Sequence, residues 1–508
     1  VLFKLKRVDE SVKTLNQAIR INPNFAEPYL RLGSIFQKQF NRINESILCY
    51  QKAVEIKPDY QIAYEHLANI FKEIGEIKEA INNYERIIQI NSNSEMAHIN
   101  LANLYVDIGK VESARKIFRK LISLKPNNLL HKINNALIVT PILQSNKEID
   151  SCRNEYIKNL KNLKKSNEQI PNPGYSIESN FFYLAFHNKN NLKIMKNTSD
   201  IFRKILPNIN YVSKNINKLK KQSKIRIGFI SEFLTDHTIG KLFGGLIKNI
   251  DREKFDVIIV HTSETKQSKI KKEMDDSANK VVILKNNIED QQKQIENESF
   301  DIIFYPEIAM SPRVYFLAFS RLAPAQVVSW GHPETTGINT IDYFLSSVLF
   351  ERKNSPKKYS ENLVCLKEFP LYYDPPKNIK PLLGRSNFNL PKKNRLYGCP
   401  QSLFKLHPDF DEILAKILEK DPEGYIVFIG GKNKHEFWAE SLKKRWSKTF
   451  PILNKKVFFT KRLSLNEFIS LCNCVDVLLD PIYFGGGNTF LESMIVGTPT
   501  ITMPGTYL

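Results

Sequence analysis

A period of 34 to 35 residues running from the first residues to about position 126 constrains this chain more than any other feature. Tyr64, Leu67, Ala68, Phe71, Ala80, Tyr84 and Ile87 recur 34 positions later as His98, Leu101, Ala102, Tyr105, Ala114, Phe118 and Leu121. An earlier unit supplies Leu32, Gly33 and Phe36, then Tyr50 and Ala53, with one residue inserted. A partial unit ends with Leu15, Ala18 and Pro23, so the chain opens inside a repeat. Pro23, Pro58, Ser92 and Pro126 each close a helical stretch. A small residue after the leucine lets two helices approach closely. The second small position receives the partner helix, and the aromatics wedge between them. No such unit buries its apolar face alone, so neighbours must stack.

This pattern resembles the tetratricopeptide repeat and predicts an α superhelix over residues 1–126. The first helix of each pair lines the concave face of such a superhelix. Asn69 and Asn103 hold equivalent positions there, with Ser34 in the earlier copy. Asparagine amides can grip an extended peptide backbone without reading its sequence; solvated polar positions are the plainer reading.

Residues 127–223 stay helical in pattern but lose the period, and Pro141, Pro171, Pro173 and Pro207 punctuate them. They read as a helical linker. From Lys224 short apolar runs alternate with amphipathic stretches, at 225–230, 255–261, 280–284, 300–305, 326–330 and 341–346. A Pro- and Lys-rich span at 370–391 interrupts them. The runs then resume at 395–400, 425–429, 456–460, 475–480 and 498–503. Two batches of buried parallel strands predict two doubly wound, Rossmann-like α/β domains, at 224–385 and 386–508, facing a cleft. The chain begins at Val1 and stops at Leu508 just after an apolar run read as a buried strand. It reads as a fragment whose second α/β domain lacks its last helices.

Composition narrows the class. The chain has 508 residues, 42% hydrophobic and 25% charged, which argues against disorder, fibre or membrane bundle. No apolar run reaches the length of a transmembrane helix. Six cysteines without zinc spacing or a disulfide framework point to a reducing cytoplasm. The formal charge of +21 favours anionic ligands, yet it is spread over scattered lysines, and no nucleic-acid module is present.

Four stretches carry candidate chemistry. Asp480-Pro-Ile-Tyr-Phe-Gly-Gly-Gly-Asn-Thr-Phe-Leu-Glu492 follows an apolar run. Gly485, Gly486 and Gly487 allow close backbone approach, and Asn488 or Thr489 opens a helix whose bare N–H groups suit a diphosphate. Glu492, one turn in, can accept hydrogen bonds from a ribose. Pro400-Gln-Ser-Leu-Phe-Lys405 follows the first strand of the second α/β domain and brings Gln401, Ser402 and Lys405 towards an anionic ligand. Past the first strand of the first α/β domain stands His237, a candidate acid or base. Ser329-Trp-Gly-His-Pro-Glu-Thr-Thr-Gly337 combines a strand end, His332 and a Gly-bounded turn. Asp409-Phe-Asp411 has the D-x-D spacing of metal-dependent sugar transferases, but acids in the first turn of a helix explain it better, so no metal site is expected.

Repeats followed by these motifs resemble the protein O-GlcNAc transferase family, glycosyltransferase family 41, in its bacterial branch. The resemblance spans essentially the whole chain. It rests on Gly228-Phe-Ile-Ser231 with Asp236-His237, on Arg321-Leu-Ala-Pro-Ala-Gln326 and Ser329-Trp-Gly-His-Pro333, on Gln401 to Lys405, on Gly485 to Thr489, on Glu492, and on the stretch 497–505. It implies a GT-B fold and an inverting, metal-independent transfer of sugar, GlcNAc first, from a UDP-sugar to Ser or Thr of proteins, with no cofactor. It casts Lys405 as the diphosphate-binding lysine, Gly487 to Thr489 as the phosphate loop, Glu492 as the ribose-binding acid, and His237 as a histidine near the reacting centre. His332, Pro333, Thr335, Thr336 and Gly337 would line a sugar or acceptor pocket, and the repeats would present the acceptor polypeptide. The family's animal-type members carry His-Thr-Thr where Gly487, Asn488 and Thr489 stand, Gln where Ser402 stands, and Tyr where His332 stands. These departures admit UDP-glucose, another hexose or GDP-fucose as donor. A non-catalytic repeat scaffold is the alternative from another class.

Overall fold

The computed structural model describes residues 8–171, 177, 180–217, 223–263, 268–332, 334–376, 379–430 and 434–505. They form two compact units, one of residues up to 126 with 434–437, the other holding the rest.

In the first unit, helices pair as the period requires: Ala26–Lys38 with Ile43–Ile56, Gln61–Ile74 with Ile77–Ile90, and Glu95–Asp107 with Val111–Leu124. The close approach is visible at Gly33, where an added Cβ would stand 2.6 Å from the Tyr50 ring. Tyr50, Tyr84 and Phe118 occupy equivalent wedge positions and are all buried. Gly75 and Gly109 turn their pairs with φ of 81° and 80°. The earlier pair makes its turn at Asn41, φ 50°, in the connection that carries the inserted residue; Asn tolerates this conformation better than other side chains. Among the proposed groove residues, Asn69 is exposed, and its amide oxygen accepts the Tyr84 hydroxyl at 2.7 Å. Asn103 is 8% exposed.

The second unit opens with helices Leu129–Ala136, Asn146–Lys164 and Leu192–Ile205. Phe181 and Phe202 from this stretch share one core with Tyr315, Phe316 and Phe319 of the first α/β domain. Gly337, φ 70°, lets a loop pass the helix Leu192–Ile205 so closely that an added Cβ would lie 2.3 Å from the Met195 carbonyl carbon.

Seven parallel strands follow: β1 Ile225–Ser231, β2 Phe255–His261, β3 Lys280–Ile283, β4 Ile302–Tyr305, β5 Ala325–Val328, β6 Tyr343–Ser347 and β7 Asn362–Leu366. Their order is β3-β2-β1-β4-β5-β6-β7. The second sheet holds β8 Leu396–Cys399, β9 Tyr425–Ile429, β10 Val457–Thr460, β11 Val477–Leu479 and β12 Thr500–Ile501, in the order β10-β9-β8-β11-β12. The two doubly wound sheets expected from the sequence are therefore present. The alternation of runs did not disclose β7. Its side chains are half-buried or exposed throughout, as befits an edge strand, although Leu363-Val-Cys-Leu366 is itself a short apolar run. The run at 498–503 is a correction in the other direction. It forms only the two-residue edge strand β12, and Ile501 is 62% exposed rather than buried.

Strand order reverses between β1 and β4 in one sheet and between β8 and β11 in the other. In such sheets the crevice beyond the carboxyl ends at the reversal is where ligands bind. The segments after β1, β4, β8 and β11 are thus the ones to inspect.

Candidate active site

Lys405 closes a single-turn helix, Leu403–Lys405, directly past β8. Its ammonium donates to Gln401 Oε1 at 2.9 Å and to the Gly485 carbonyl at 3.0 Å, and lies 5.0 Å from the centre of the Phe484 ring. Gln401 in turn donates through Nε2 to Thr489 Oγ1 at 2.7 Å. The structure therefore brings Gln401, Lys405, Gly485 and Thr489 together from segments about eighty residues apart. Burial pulls the Lys405 pKa down to about 8, against the opposing pull of the Asp480 carboxylate. Ser402 offers its carbonyl to the Lys405 N–H and is half-buried.

The three glycines do different work. A Cβ on Gly485 would stand 2.4 Å from Asp480 Oδ2, and one on Gly486 would stand 2.3 Å from Gln401 Nε2. A side chain at either position would have to push aside the Asp480 carboxylate or the Gln401 amide, each of which holds a hydrogen bond in this site. Asp480 Oδ1 accepts the Gly486 N–H at 2.7 Å, so that group is taken rather than offered to a phosphate. Beside Gly487 nothing lies within 4 Å. The open side of the loop is therefore at Gly487 and the short helix Asn488–Ser493 that follows it. Asn488 is buried there, and no described partner meets its Oδ1. Glu492, 5% exposed, pairs with Lys241 of the first α/β domain at 2.7 Å.

On the first sheet, His237 caps the helix Thr238–Asn249, its Nδ1 accepting the Ile239 N–H at 3.3 Å, while its ring packs on Phe233. Burial and the nearby Lys241 charge lower its pKa. Gly331 holds this helix against the end of β4: an added Cβ would lie 2.0 Å from the Pro306 carbonyl oxygen and 2.7 Å from Ile239. Next to Pro306, Glu307 is completely buried, accepts from Ser231 at 3.2 Å, and is pushed by burial to a pKa of about 8.

The residues expected to line a sugar or acceptor pocket make these contacts. Thr335 and Thr336 are buried with their hydroxyls on Glu361, the first at 2.7 Å, and the Thr336 N–H reaches the same carboxylate at 2.8 Å. A buried carboxylate needs donors, and these threonines are its donors. Gly337 is committed to passing the helix at Met195, as above. His332 is 2% exposed, with Nδ1 on the Ile308 carbonyl and Nε2 without a described partner. Pro333 lies outside the described residues.

Asp409 and Asp411 do stand in the first turn of a helix, Pro408–Lys420. Asp411, however, is buried in a two-pronged ion pair with Arg445, both contacts at 2.7 Å. Sequence reading overlooked Lys241, Asp480, Phe484 and Glu307 as working residues. Glu307 had a signal, an acid directly after an apolar run. Asp480 had the same signal, whereas Lys241 and Phe484 become visible only when their distant partners Glu492 and Lys405 are in place.

Comparison with known proteins finds relatives for both parts of the chain. Residues 190–374 match the glycosyl transferase family 41, and residues 1–39, 26–60 and 73–133 match tetratricopeptide repeats. A probable UDP-N-acetylglucosamine–peptide N-acetylglucosaminyltransferase SPINDLY of Oryza sativa subsp. japonica is 29% identical over 189 residues, 36% of this chain and 20% of that protein. Its Arabidopsis thaliana counterpart is 25% identical over 289 residues, 55% of this chain and 31% of that protein. A UDP-glucose:protein N-beta-glucosyltransferase of Actinobacillus pleuropneumoniae is 25% identical over 206 residues, covering 40% and 32%. The chain thus spans a fifth to a third of the length of these relatives. Among solved structures, a Thermobaculum terrenum O-GlcNAc transferase mutant superposes with a TM-score of 0.68 at 18% identity, over 99% of this chain and 84% of that one. These likenesses bear out the resemblance to the family, though not to its bacterial branch, and the last bears out the fold.

Proposed function

We propose that the chain is an inverting glycosyltransferase that moves a sugar, GlcNAc first, from a UDP-sugar to Ser or Thr hydroxyls of proteins, without a metal or other cofactor. The observation that carries this is Lys405. A positive charge is fixed at the strand-order reversal of the second sheet by Gln401, Gly485 and Phe484, beside a loop that is open at Gly487. The donor diphosphate lies between that ammonium and the N–H groups of Gly487, Asn488 and Thr489, with its ribose on Glu492. The acceptor oxygen attacks the anomeric carbon from the side opposite the diphosphate. The bond to the diphosphate breaks, UDP leaves with both electrons, and Lys405 stabilises the charge that grows on it.

His237 serves this reaction as a hydrogen-bond donor. Its Nδ1 is occupied as an acceptor from Ile239, so in the neutral ring the proton sits on Nε2, which can donate to a substrate oxygen. The proton of the acceptor hydroxyl passes to solvent water as the new C–O bond forms, so the step yields glycosylated protein, UDP and one released proton.

The direct test supplies UDP-GlcNAc, UDP-glucose or GDP-fucose with a protein acceptor and follows nucleotide release and the acceptor's intact mass. UDP release with a matching mass gain is the expected result. UDP-glucose is the second donor because a relative's name carries it. Absence of release from every donor would favour a repeat scaffold.

Two further outcomes follow. The free site needs Lys405 charged, and burial has brought its pKa down to about 8, so kcat/KM should fall as pH rises through that value. A pH–rate profile flat across it would contradict the role. In the repeats, Tyr84 holds the Asn69 amide oxygen, which leaves the NH2 group for an acceptor carbonyl. Replacing Asn69 and Asn103 together with Ala should raise KM for a protein acceptor while leaving UDP binding intact; unchanged kinetics would remove the groove from the reading.

A further inference from the structure

The carboxylate assigned to the donor ribose is already occupied. Glu492 Oε1 lies 2.7 Å from the Lys241 ammonium, with the two side chains 7% and 25% exposed. The partners come from different sheets. Lys241 stands one turn into the helix that follows β1, and Glu492 stands in the helix that follows β11. A carboxylate this buried keeps its charge only with a partner, and an ion pair at this depth is not replaced by bulk water without cost.

We propose that Lys241 and the donor ribose compete for Glu492, so that nucleotide entry must exchange an ion pair between the two α/β domains for hydrogen bonds from the ribose hydroxyls. The inference rests on the ribose placement proposed above and adds a residue that sets donor affinity. The exchange has a physical logic. A ribose diol presents two neutral donors to the two carboxylate oxygens, which keeps Glu492 satisfied once Lys241 swings away. The main chain of Lys241 stays in place, since its N–H bonds the His237 carbonyl at 3.1 Å, so the exchange needs only the side chain to move. Lys241 also bears on His237 in the closed form, where it lowers the imidazole pKa alongside burial.

Calorimetric titration of the whole chain separates this from a merely structural bridge. The probes are UDP and a UDP analogue lacking both ribose hydroxyls. Lys241→Met removes the competitor and should tighten UDP binding by about five- to tenfold, the scale of a partly buried ion pair. The analogue cannot use Glu492, so its affinity should not change with the same substitution. Lys241→Arg keeps the charge and should bind UDP like the parent, which separates charge from packing. Unchanged or weaker UDP binding by Lys241→Met overturns the competition, as does equal tightening of both probes. If the parent chain fails to bind UDP at all, the donor reading falls first and the competition falls with it.

Discussion

Replacing Lys405 with alanine is expected to lower kcat by about 10²–10³, the usual worth of one preorganised charge in a water-poor site. The structure shows why one residue should matter so much. Negative charge builds on the departing diphosphate as the sugar bond breaks. Of the loop's three glycine N–H groups, that of Gly486 is consumed by Asp480. Backbone donors are therefore fewer than the sequence Gly-Gly-Gly implies, and a full cation must carry more of the load. Lys405 is held by two acceptors and a ring, and among the described residues no carboxylate is in hydrogen-bond contact with it. Lys405→Arg should not restore the rate, because a planar fork cannot make the same compact contact with Gln401 Oε1 and the Gly485 carbonyl. Melting of the Lys405→Ala variant should barely change, since the ammonium holds no apolar core together. Added Mg²⁺ should not rescue it, and EDTA should leave the parent untouched. Near-normal turnover in the variant, or loss of parental activity in EDTA, would defeat the metal-free mechanism.

The strands that frame this site were legible because each is buried on both faces and so reads as an unbroken apolar run. That is why the runs at 255–261 and 425–429 coincide with β2 and β9. The repeats were legible for a different reason: a helix pair that must stack on copies of itself writes its packing into the sequence at a fixed interval. Edge strands are less uniform: β3 and β10 were read from their apolar runs, whereas β7 was missed and β12 was misjudged as buried. Within the site, Lys405 and the glycine loop were found because each directly follows such a strand. What remained hidden were pairings over long separations. Nothing local tells that Lys241 will meet Glu492, 251 positions on, or that Glu361 will take the hydroxyls of Thr335 and Thr336. Threonines beside a histidine and a glycine look like ligand-binding residues until the buried acid that needs them is seen. The same holds for the glycines. Sequence shows that they are small, and only the structure shows that two of them lie against Asp480 and Gln401.

The largest stability effect should come from Asp411, the residue whose D-x-D spacing invites a metal reading. Its carboxylate receives Arg445 through Nε and a terminal nitrogen, both at 2.7 Å, and the two residues are each 2% exposed. Arg445 also donates to the Leu143 carbonyl at 2.7 Å and the Leu406 carbonyl at 3.0 Å. The guanidinium thus ties the segment before helix Asn146–Lys164 to the segment after Lys405. Asp411→Ala strands a buried cation, and breaking such a pair typically costs about 3–5 kcal/mol. Arg445→Met should cost less than that, because the Asp411 carboxyl it leaves behind can take up a proton. Burial already raises the Asp411 pKa, so neutralisation is within easy reach. Changing both, Asp411→Leu with Arg445→Met, should recover at least half of the loss of Asp411→Ala, because an apolar pair of similar volume needs no solvation. Denaturant midpoints of the three variants measure this directly. A metal role makes the opposite forecast: Asp411→Ala would leave the midpoint nearly unchanged without divalent ions and would abolish a stabilisation that Mg²⁺ or Mn²⁺ gives the parent. Equal midpoints for parent and Asp411→Ala in the presence of EDTA would therefore refute the structural role of this pair.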